Sequence, residues 1–248
     1  MKEIEIRKKN GDILRGVLFL PQADPEKRPF PLLIVSHGFG ACYKDLWHHG
    51  SPFAADGIAC LLFDFRGGSM TSASGGSMQE MSLLTEKEDL DYVLDYAAAL
   101  PGIDRRRIFL LGESQGGLVS AMAAAEHPHL VRGLILWYPA FVIPKMAEDL
   151  CARGLPDKVT VFEQSVGRIY IEDALKVDIR SVMQAYPGPV LLIHGDCDTL
   201  VPLSWSLLAH EIYRDSRLEI IPDAGHDFVG PGSTFPRQLS AAFIKSLV

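Results

Sequence analysis

Short apolar segments recur along this chain, and each ends in small or polar residues. Helix-compatible segments lie between them, at residues 46–55, 84–99, 115–125, 204–213 and 235–247. The apolar segments read PLLIVSHGFG, IACLLFDFRGG, RIFLLGESQGG, LVRGLILWYP, GPVLLIHGD and RLEIIPDAGH. Runs of this kind fit strands buried on both faces. Their alternation with helices predicts an α/β fold, with a mostly parallel central sheet and helices on both faces.

Two segments depart from this alternation. At the N-terminus, EIEIR and ILRGVLFL flank the turn signal KNGD, which predicts an antiparallel hairpin. Residues 140–185 contain mixed short signals and exceed an ordinary strand–helix connection. We interpret them as a short cap inserted within a single domain that covers residues 1–248.

Composition excludes several classes of function. The formal net charge is −7, and the 24 Lys and Arg residues form no basic stripe, which argues against nucleic-acid binding. The chain has neither an apolar run of the ~20 residues that span a membrane nor a signal-peptide core. Its four cysteines form no C-x-x-C pair, so they indicate free thiols in a reducing compartment. We expect a cytoplasmic protein without membrane association, and a homodimer is compatible with the sequence.

The sequence GESQGG at residues 112–117 contains the pattern G-x-S-x-G. An apolar strand precedes Ser114 and a helix-forming segment follows it, as in a sharp strand–turn–helix that exposes a nucleophilic serine. Gly112 and Gly116 fit this geometry because side chains there would clash with the neighbouring strand and helix. We therefore predict that Ser114 is a nucleophile.

A serine nucleophile needs a base, and the base needs an orienting carboxylate. His226 follows the last predicted strand and precedes the last helix, so it is the best placed histidine. Asp196 and Asp198 both follow the strand that ends near residue 193, and both remain candidates for the acid. The order serine, aspartate, histidine is that of α/β-hydrolases. The histidines in or next to predicted helices are expected at the surface: His48, His49, His127, His129 and His210.

Four motifs together give the chain a resemblance to the α/β-hydrolase superfamily over nearly its whole length. They are HGFG at 37–40, GESQGG at 112–117, HGDCDTLVP at 194–202 and DAGHDF at 223–228. The resemblance implies that Asp198 is the acid and that Asp196 bonds loop amides. It also implies that the backbone N–H of Phe39 joins that of Gln115 in an oxyanion hole.

A closer resemblance is to small bacterial carboxylesterases of the cinnamoyl (feruloyl) esterase type. The shared features are HGFG, S-Q-G-G, a helix like TEKEDLDYVLDY and a short inserted cap. Glu113 is a departure, because those esterases often have histidine there. The candidate pocket residues from the insertion are Phe141, Phe162 and Tyr170, whose rings could hold an aromatic acid or could only pack the cap onto the body.

The resulting hypothesis is a serine esterase that cleaves small-molecule carboxylic esters, with hydroxycinnamoyl esters as one candidate class. It requires no metal and no cofactor. One alternative is a serine peptidase of the prolyl-oligopeptidase-like group, and another is a non-catalytic binding protein on a hydrolase scaffold. Asp64 and Arg66 are expected to form a structural ion pair with each other.

Overall fold

A central sheet of eight strands organises the computed structural model, which describes residues 1–22, 29–155, 159–228 and 234–248. Six strands precede the predicted insertion and two follow it. They are β1 (Lys2–Arg7), β2 (Ile13–Phe19), β3 (Phe30–Ser36), β4 (Ala59–Phe63), β5 (Ile103–Glu113), β6 (Val131–Trp137), β9 (Val190–Gly195) and β10 (Ser216–Ile221). Their order across the sheet is β1-β2-β4-β3-β5-β6-β9-β10.

The sheet is antiparallel at one edge and parallel elsewhere. β1 and β2 form a hairpin in which Ile4 lies opposite Gly16, and β2 also runs antiparallel to β4. All pairings from β4 to β10 are parallel. The predicted mostly parallel sheet and the N-terminal hairpin are confirmed. A parallel arrangement brings the carboxyl ends of its strands to one edge, where ligands of such sheets bind.

Helices cover both faces of the sheet. Within β3, Leu32 belongs to the hydrophobic cluster that includes Leu90 of a long helix, whereas Leu33 belongs to the opposite cluster with Phe53 and Ile244. The helices outside the segment between β6 and β9 are α1 (Trp47–Ala55), α2 (Leu83–Ala98), α3 (Gln115–Glu126), α7 (Ser204–Ile212) and α8 (Phe235–Ser246). Within the described ranges, no helix combines the length and apolar character that crossing a bilayer needs.

The described part of the segment between β6 and β9 contains three helices and a small hairpin. They are α4 (Ile143–Ala152), β7 (Val159–Val161), β8 (Gln164–Val166), α5 (Arg168–Ala174) and α6 (Ile179–Ala185). α5 packs on α2, and α6 packs on α3. Ser82, the N-cap of α2, donates a 2.5 Å hydrogen bond to the buried Asp173 of α5. The interpretation of this segment as a cap within one domain stays a prediction.

The prediction of an ion pair between Asp64 and Arg66 is wrong. Both carboxylate oxygens of Asp64 accept backbone N–H groups, from Tyr43 and Ala73 at 2.5 Å each. The Arg66 guanidinium instead lies 3.0 Å from the carboxylate of Asp12. Asp64 is fully buried, so it organises two loops at the sheet edge rather than neutralising a neighbouring cation.

Candidate active site

Ser114 occupies a sharp turn between β5 and α3. Its backbone has φ 52° and ψ −116°, a conformation that ordinary L-residues rarely adopt and that costs roughly 1–3 kcal/mol. The turn is fixed by neighbouring backbone, because Ser114 donates its N–H to Trp137 O at 3.0 Å and accepts at its own O from Ala140 N at 2.8 Å. Because the neighbouring backbone holds the turn in this strained conformation, the Ser114 side chain projects beyond the sheet edge.

The two glycines of the motif allow this turn to pack closely. A Cβ at Gly112 would lie 2.2 Å from Gly116 O, and a Cβ at Gly116 would lie 2.4 Å from both Ser36 O and His37 O. All of these are backbone atoms that cannot rotate away. The helix that follows Ser114 therefore starts directly against β3 and β5 only because both positions lack a side chain.

His226 and Asp198 form a close pair on neighbouring loops. Nδ1 of His226 lies 2.7 Å from Oδ2 of Asp198. The other oxygen of Asp198 accepts from Leu200 N at 2.8 Å and from Val201 N at 2.9 Å. Burial raises the pKa of Asp198, but these backbone donors and His226 outweigh it and hold the pKa below its ordinary value. The Asp198 carboxylate is thus ionised and oriented towards the imidazole.

Asp196 has a different position from Asp198. Its Oδ1 accepts a hydrogen bond of 2.8 Å from the backbone N–H of Asp223, on the loop that leads to His226. This is the loop-bonding arrangement that the family resemblance implies for Asp196. His194 is also buried here, with Nδ1 2.7 Å from Ser206 Oγ and Nε2 2.9 Å from Val201 O.

Ser114 and His226 line the same cavity, which has a volume of about 720 Å³. With Nδ1 engaged by Asp198, the Nε2 of His226 is the ring nitrogen left for the serine. The ring of Tyr138 packs against His226 with 4.4 Å between centroids and fixes one side of the imidazole. The cavity walls include Phe39, Trp137, Tyr138, Phe162 and Phe228, together with polar side chains that include Asp45, Glu113, Gln164 and Asp227.

The two predicted oxyanion donors flank the Ser114 turn. Gln115 is the first residue of α3, where a backbone N–H has no acceptor one turn earlier in the helix. Phe39 follows Gly38, and a Cβ on Gly38 would lie 3.3 Å from the Cβ of Ser114. Among the described residues, neither the Phe39 N–H nor the Gln115 N–H has a hydrogen-bond partner. Both donors remain available to a ligand beside Ser114.

The side chain of Gln115 has a separate, buried role. Its Nε2 donates to Glu86 Oε2 at 2.8 Å, and its Oε1 accepts from the Tyr170 hydroxyl at 2.8 Å. Burial raises the pKa of Glu86 to about 8, although the Gln115 bond opposes this rise. This network ties α2 and α5 to the first residue after the serine.

The three aromatic candidates from the insertion separate in the structure. Phe162 lines the serine cavity and is 60% exposed at the tip of the β7–β8 hairpin. Tyr170 is buried beneath Phe39, with 5.8 Å between ring centroids, and does not line the cavity. Phe141 is fully buried and lines a different depression beside α4. Tyr170 and Phe141 are packed inside the protein, and of the three only Phe162 lines the serine cavity.

Glu113 and His49 form a pair that the sequence did not predict. Nε2 of His49 lies 2.7 Å from Oε1 of Glu113, and Tyr138 also bonds the Glu113 carboxylate. Burial raises the pKa of Glu113, but the bond from His49 outweighs it and lowers the pKa. The expected surface position of His49 is wrong, because this side chain is fully buried. The sequence indicated only that Glu113 stands where the similar esterases often have histidine. It did not indicate that His49 is the partner of Glu113.

Known proteins with similar folds and sequences include esterases. The structure of Est1E from Butyrivibrio proteoclasticus with bound ferulic acid is 26% identical, with a TM-score of 0.88 and coverage of 98% of each chain. Esterase FrsA of Serratia proteamaculans (strain 568) is 26% identical over 234 residues, which cover 90% of this chain and 54% of that protein. Quorum-quenching protein AidA of Acinetobacter baumannii (strain MDR-ZJ06) is 32% identical over 99 residues, which cover 39% of this chain and 32% of that protein. The chain thus matches only about half and about a third of the length of these two curated relatives.

These similarities confirm the expected resemblance and the expected fold. The prediction of an ester-hydrolysing enzyme agrees with the esterases among the relatives. The hydrolase family described as "Serine aminopeptidase, S33" matches residues 27–181, well over half of the sequence. The chain therefore belongs to this family of α/β-hydrolases.

Proposed function

We propose that the protein is a serine hydrolase that cleaves carboxylic esters through Ser114, His226 and Asp198. The observation that carries the proposal is the 2.7 Å contact between His226 Nδ1 and the ionised Asp198, in the cavity that Ser114 also lines. The contact leaves Nε2 of His226 as the base, and Asp198 stabilises the imidazolium that forms. The strained Ser114 backbone supports the same assignment.

The proposed reaction has two steps, acylation of Ser114 and hydrolysis of the acyl-enzyme. His226 Nε2 takes the proton of Ser114 as Oγ attacks the ester carbonyl carbon, and the bond to the leaving oxygen breaks as His226 returns that proton to it. The alcohol departs and leaves an acyl group on Ser114. Water, deprotonated by His226, then attacks the acyl-enzyme, and the acid is released as Ser114 regains its proton. The N–H groups of Phe39 and Gln115 hold the oxyanion in both steps.

Hydroxycinnamoyl esters are the acyl class that we propose. Five aromatic side chains line a cavity of about 720 Å³, which supports binding of a planar acyl group. The similar Est1E structure contains ferulic acid, a hydroxycinnamic acid. Phe162 and Phe39, with ring centroids 6.0 Å apart, are the candidate walls for the acyl ring.

Replacement of Ser114 by alanine tests the nucleophile. We expect S114A to lose nearly all p-nitrophenyl acetate turnover and all labelling by a fluorophosphonate probe, while its circular dichroism matches the wild type. Labelling of the wild type at Ser114 would exclude a non-catalytic scaffold protein. Turnover of the ester by S114A at the wild-type rate would refute the assignment.

Peptide bond hydrolysis is the second candidate, because the family description names a serine aminopeptidase. Turnover of methyl ferulate, p-nitrophenyl acetate and aminoacyl anilides by the same preparation separates the two activities. The ester proposal expects kcat/KM to be highest for the ferulate ester. A higher value for an anilide would favour the peptidase.

A further inference from the structure

Two histidines and one carboxylate meet beside Ser114, outside the Ser114–His226–Asp198 group. One ring nitrogen of His48, one of His49 and a carboxylate oxygen of Glu113 lie within 4.8 Å of one another. Histidine nitrogens and carboxylate oxygens bind zinc at about 2.0–2.2 Å. Small side-chain rotations would therefore bring the three atoms around one ion. His48 and Glu113 line the serine cavity, so the fourth position of such an ion faces the substrate space.

The hydrogen bonding of His48 suits a metal ligand. Nδ1 of His48 lies 3.0 Å from Asp45 O, an arrangement that orients the ring and leaves Nε2 free to bind.

His49 is the buried member of the group. Its Nε2 lies 2.7 Å from Glu113 Oε1, and its ring packs against His48, Phe53 and Trp137. Nε2 is therefore the nitrogen of His49 that faces the Glu113 carboxylate and that would bind the ion.

We propose that His48, His49 and Glu113 bind one divalent transition metal ion of the zinc type, next to the nucleophile. Two histidines, one carboxylate and an open position form a ligand set that zinc favours. The ion replaces the direct His49–Glu113 contact.

A second cluster in the chain provides a matched control. A carboxylate oxygen of Asp91, one of Glu126 and a ring nitrogen of His127 are similarly close together. Here, however, the ammonium group of Lys87 already contacts both carboxylates. This resident cation already occupies the space between the two carboxylates, so we expect no metal ion there.

Zinc binding to the full-length, chelator-treated chain tests the proposal. Titration against a chromophoric zinc indicator should give one ion per chain, and Co²⁺ should give the visible absorption of a low-coordinate site. We expect H48Q and E113Q each to weaken zinc binding about 10–100-fold, and H127Q to leave it unchanged. His48 is exposed, so its replacement does not threaten folding.

The outcomes also distinguish this site from the proposed catalytic residues. S114A and H226Q should keep the same zinc stoichiometry, because neither residue is a ligand, and this readout does not depend on turnover. Loss of binding in H226Q but not in H48Q would place the ion on the catalytic histidine and overturn the proposal. Absence of stoichiometric binding, or binding that only H127Q removes, would overturn it as well.

Discussion

Oδ2 of Asp198 lies 2.7 Å from Nδ1 of His226, and this contact connects the loop after β9 to the loop after β10. The Asp198 side chain has no exposure to solvent, and its other oxygen is held by two backbone N–H groups. The carboxylate therefore cannot turn away from the imidazole. This rigidity fixes which nitrogen of His226 faces the serine cavity.

Replacement of Asp198 by asparagine should reduce kcat on p-nitrophenyl acetate by about 10³–10⁴-fold. The amide keeps the shape of the side chain but neither favours the required tautomer of His226 nor stabilises its imidazolium form. Steady-state kinetics measure the effect, and KM should change little. The matched control is D196N, because Asp196 accepts a hydrogen bond from the backbone N–H of Asp223 rather than from His226, and its replacement should cost less than tenfold in kcat. Equal losses in the two variants would contradict the roles assigned to them.

Substitution of Gly116 by alanine should disable the enzyme. The added Cβ would meet Ser36 O and His37 O at 2.4 Å, so the start of α3 and the Ser114 turn must shift. We expect a loss of at least ~1–3 kcal/mol in unfolding free energy from overpacking and a large fall in kcat. Urea denaturation and ester kinetics measure both.

G117A is the control for the Gly116 substitution. Its Cβ would approach Pro139 and Gly112 O only to 3.0–3.1 Å, and alanine favours helix over glycine by about 1 kcal/mol. G117A should therefore lose much less stability and activity than G116A. The steric account of the turn fails if the two variants behave alike.

The positions of Ser114, Asp198 and His226 could be predicted from the sequence better than the contacts that surround them. Ser114, Asp198 and His226 each follow a recognisable strand, and parallel strands bring such positions to one edge. The His49–Glu113 contact joins residues 64 positions apart and depends on how α1 packs against the sheet, where its contacts are mainly with β4 and β2. The hydrophobic pattern also did not predict the different surroundings of Tyr170 and Phe162, because both lie in the segment with mixed short signals. Tyr170 donates a hydrogen bond to Gln115, whereas Phe162 lines the cavity.

Glu86 should make stability depend on pH in a direction opposite to that of an ordinary ion-paired carboxylate. Its pKa rises from 4.5 to about 8 on folding, so the folded chain holds the proton more tightly. The resulting stabilisation is fully present below pH 4.5 and is lost as the pH rises through about 8. E86Q keeps a neutral acceptor for Gln115 Nε2 and removes this titration.

Urea denaturation of the wild type and E86Q between pH 4.5 and about pH 8 measures the difference in their unfolding free energies. As the pH rises, we expect the unfolding free energy of the wild type to fall relative to that of E86Q by up to a few kcal/mol. The fall should be on the order of 1.4 kcal/mol for each unit by which folding raises the Glu86 pKa. E88Q, on the exposed side of the same helix, is the control and should show no comparable trend. A pH-independent difference between wild type and E86Q would contradict a titration at Glu86.

Phe162 should set affinity for aromatic acyl groups. Its ring projects from the hairpin turn, where Phe162 and Glu163 both have positive φ, and it lies against Phe39 in the cavity wall, with 6.0 Å between ring centroids. An aromatic contact contributes about 0.5–1.5 kcal/mol. F162A should therefore raise KM for methyl ferulate about 2- to 12-fold and leave p-nitrophenyl acetate kinetics nearly unchanged, because acetate has no ring to contact. F235A removes a similarly exposed phenylalanine that is not among the cavity-lining residues and should affect neither substrate. A uniform rise in KM for both esters in F162A would mean that the hairpin tip shapes the cavity without contacting the acyl ring.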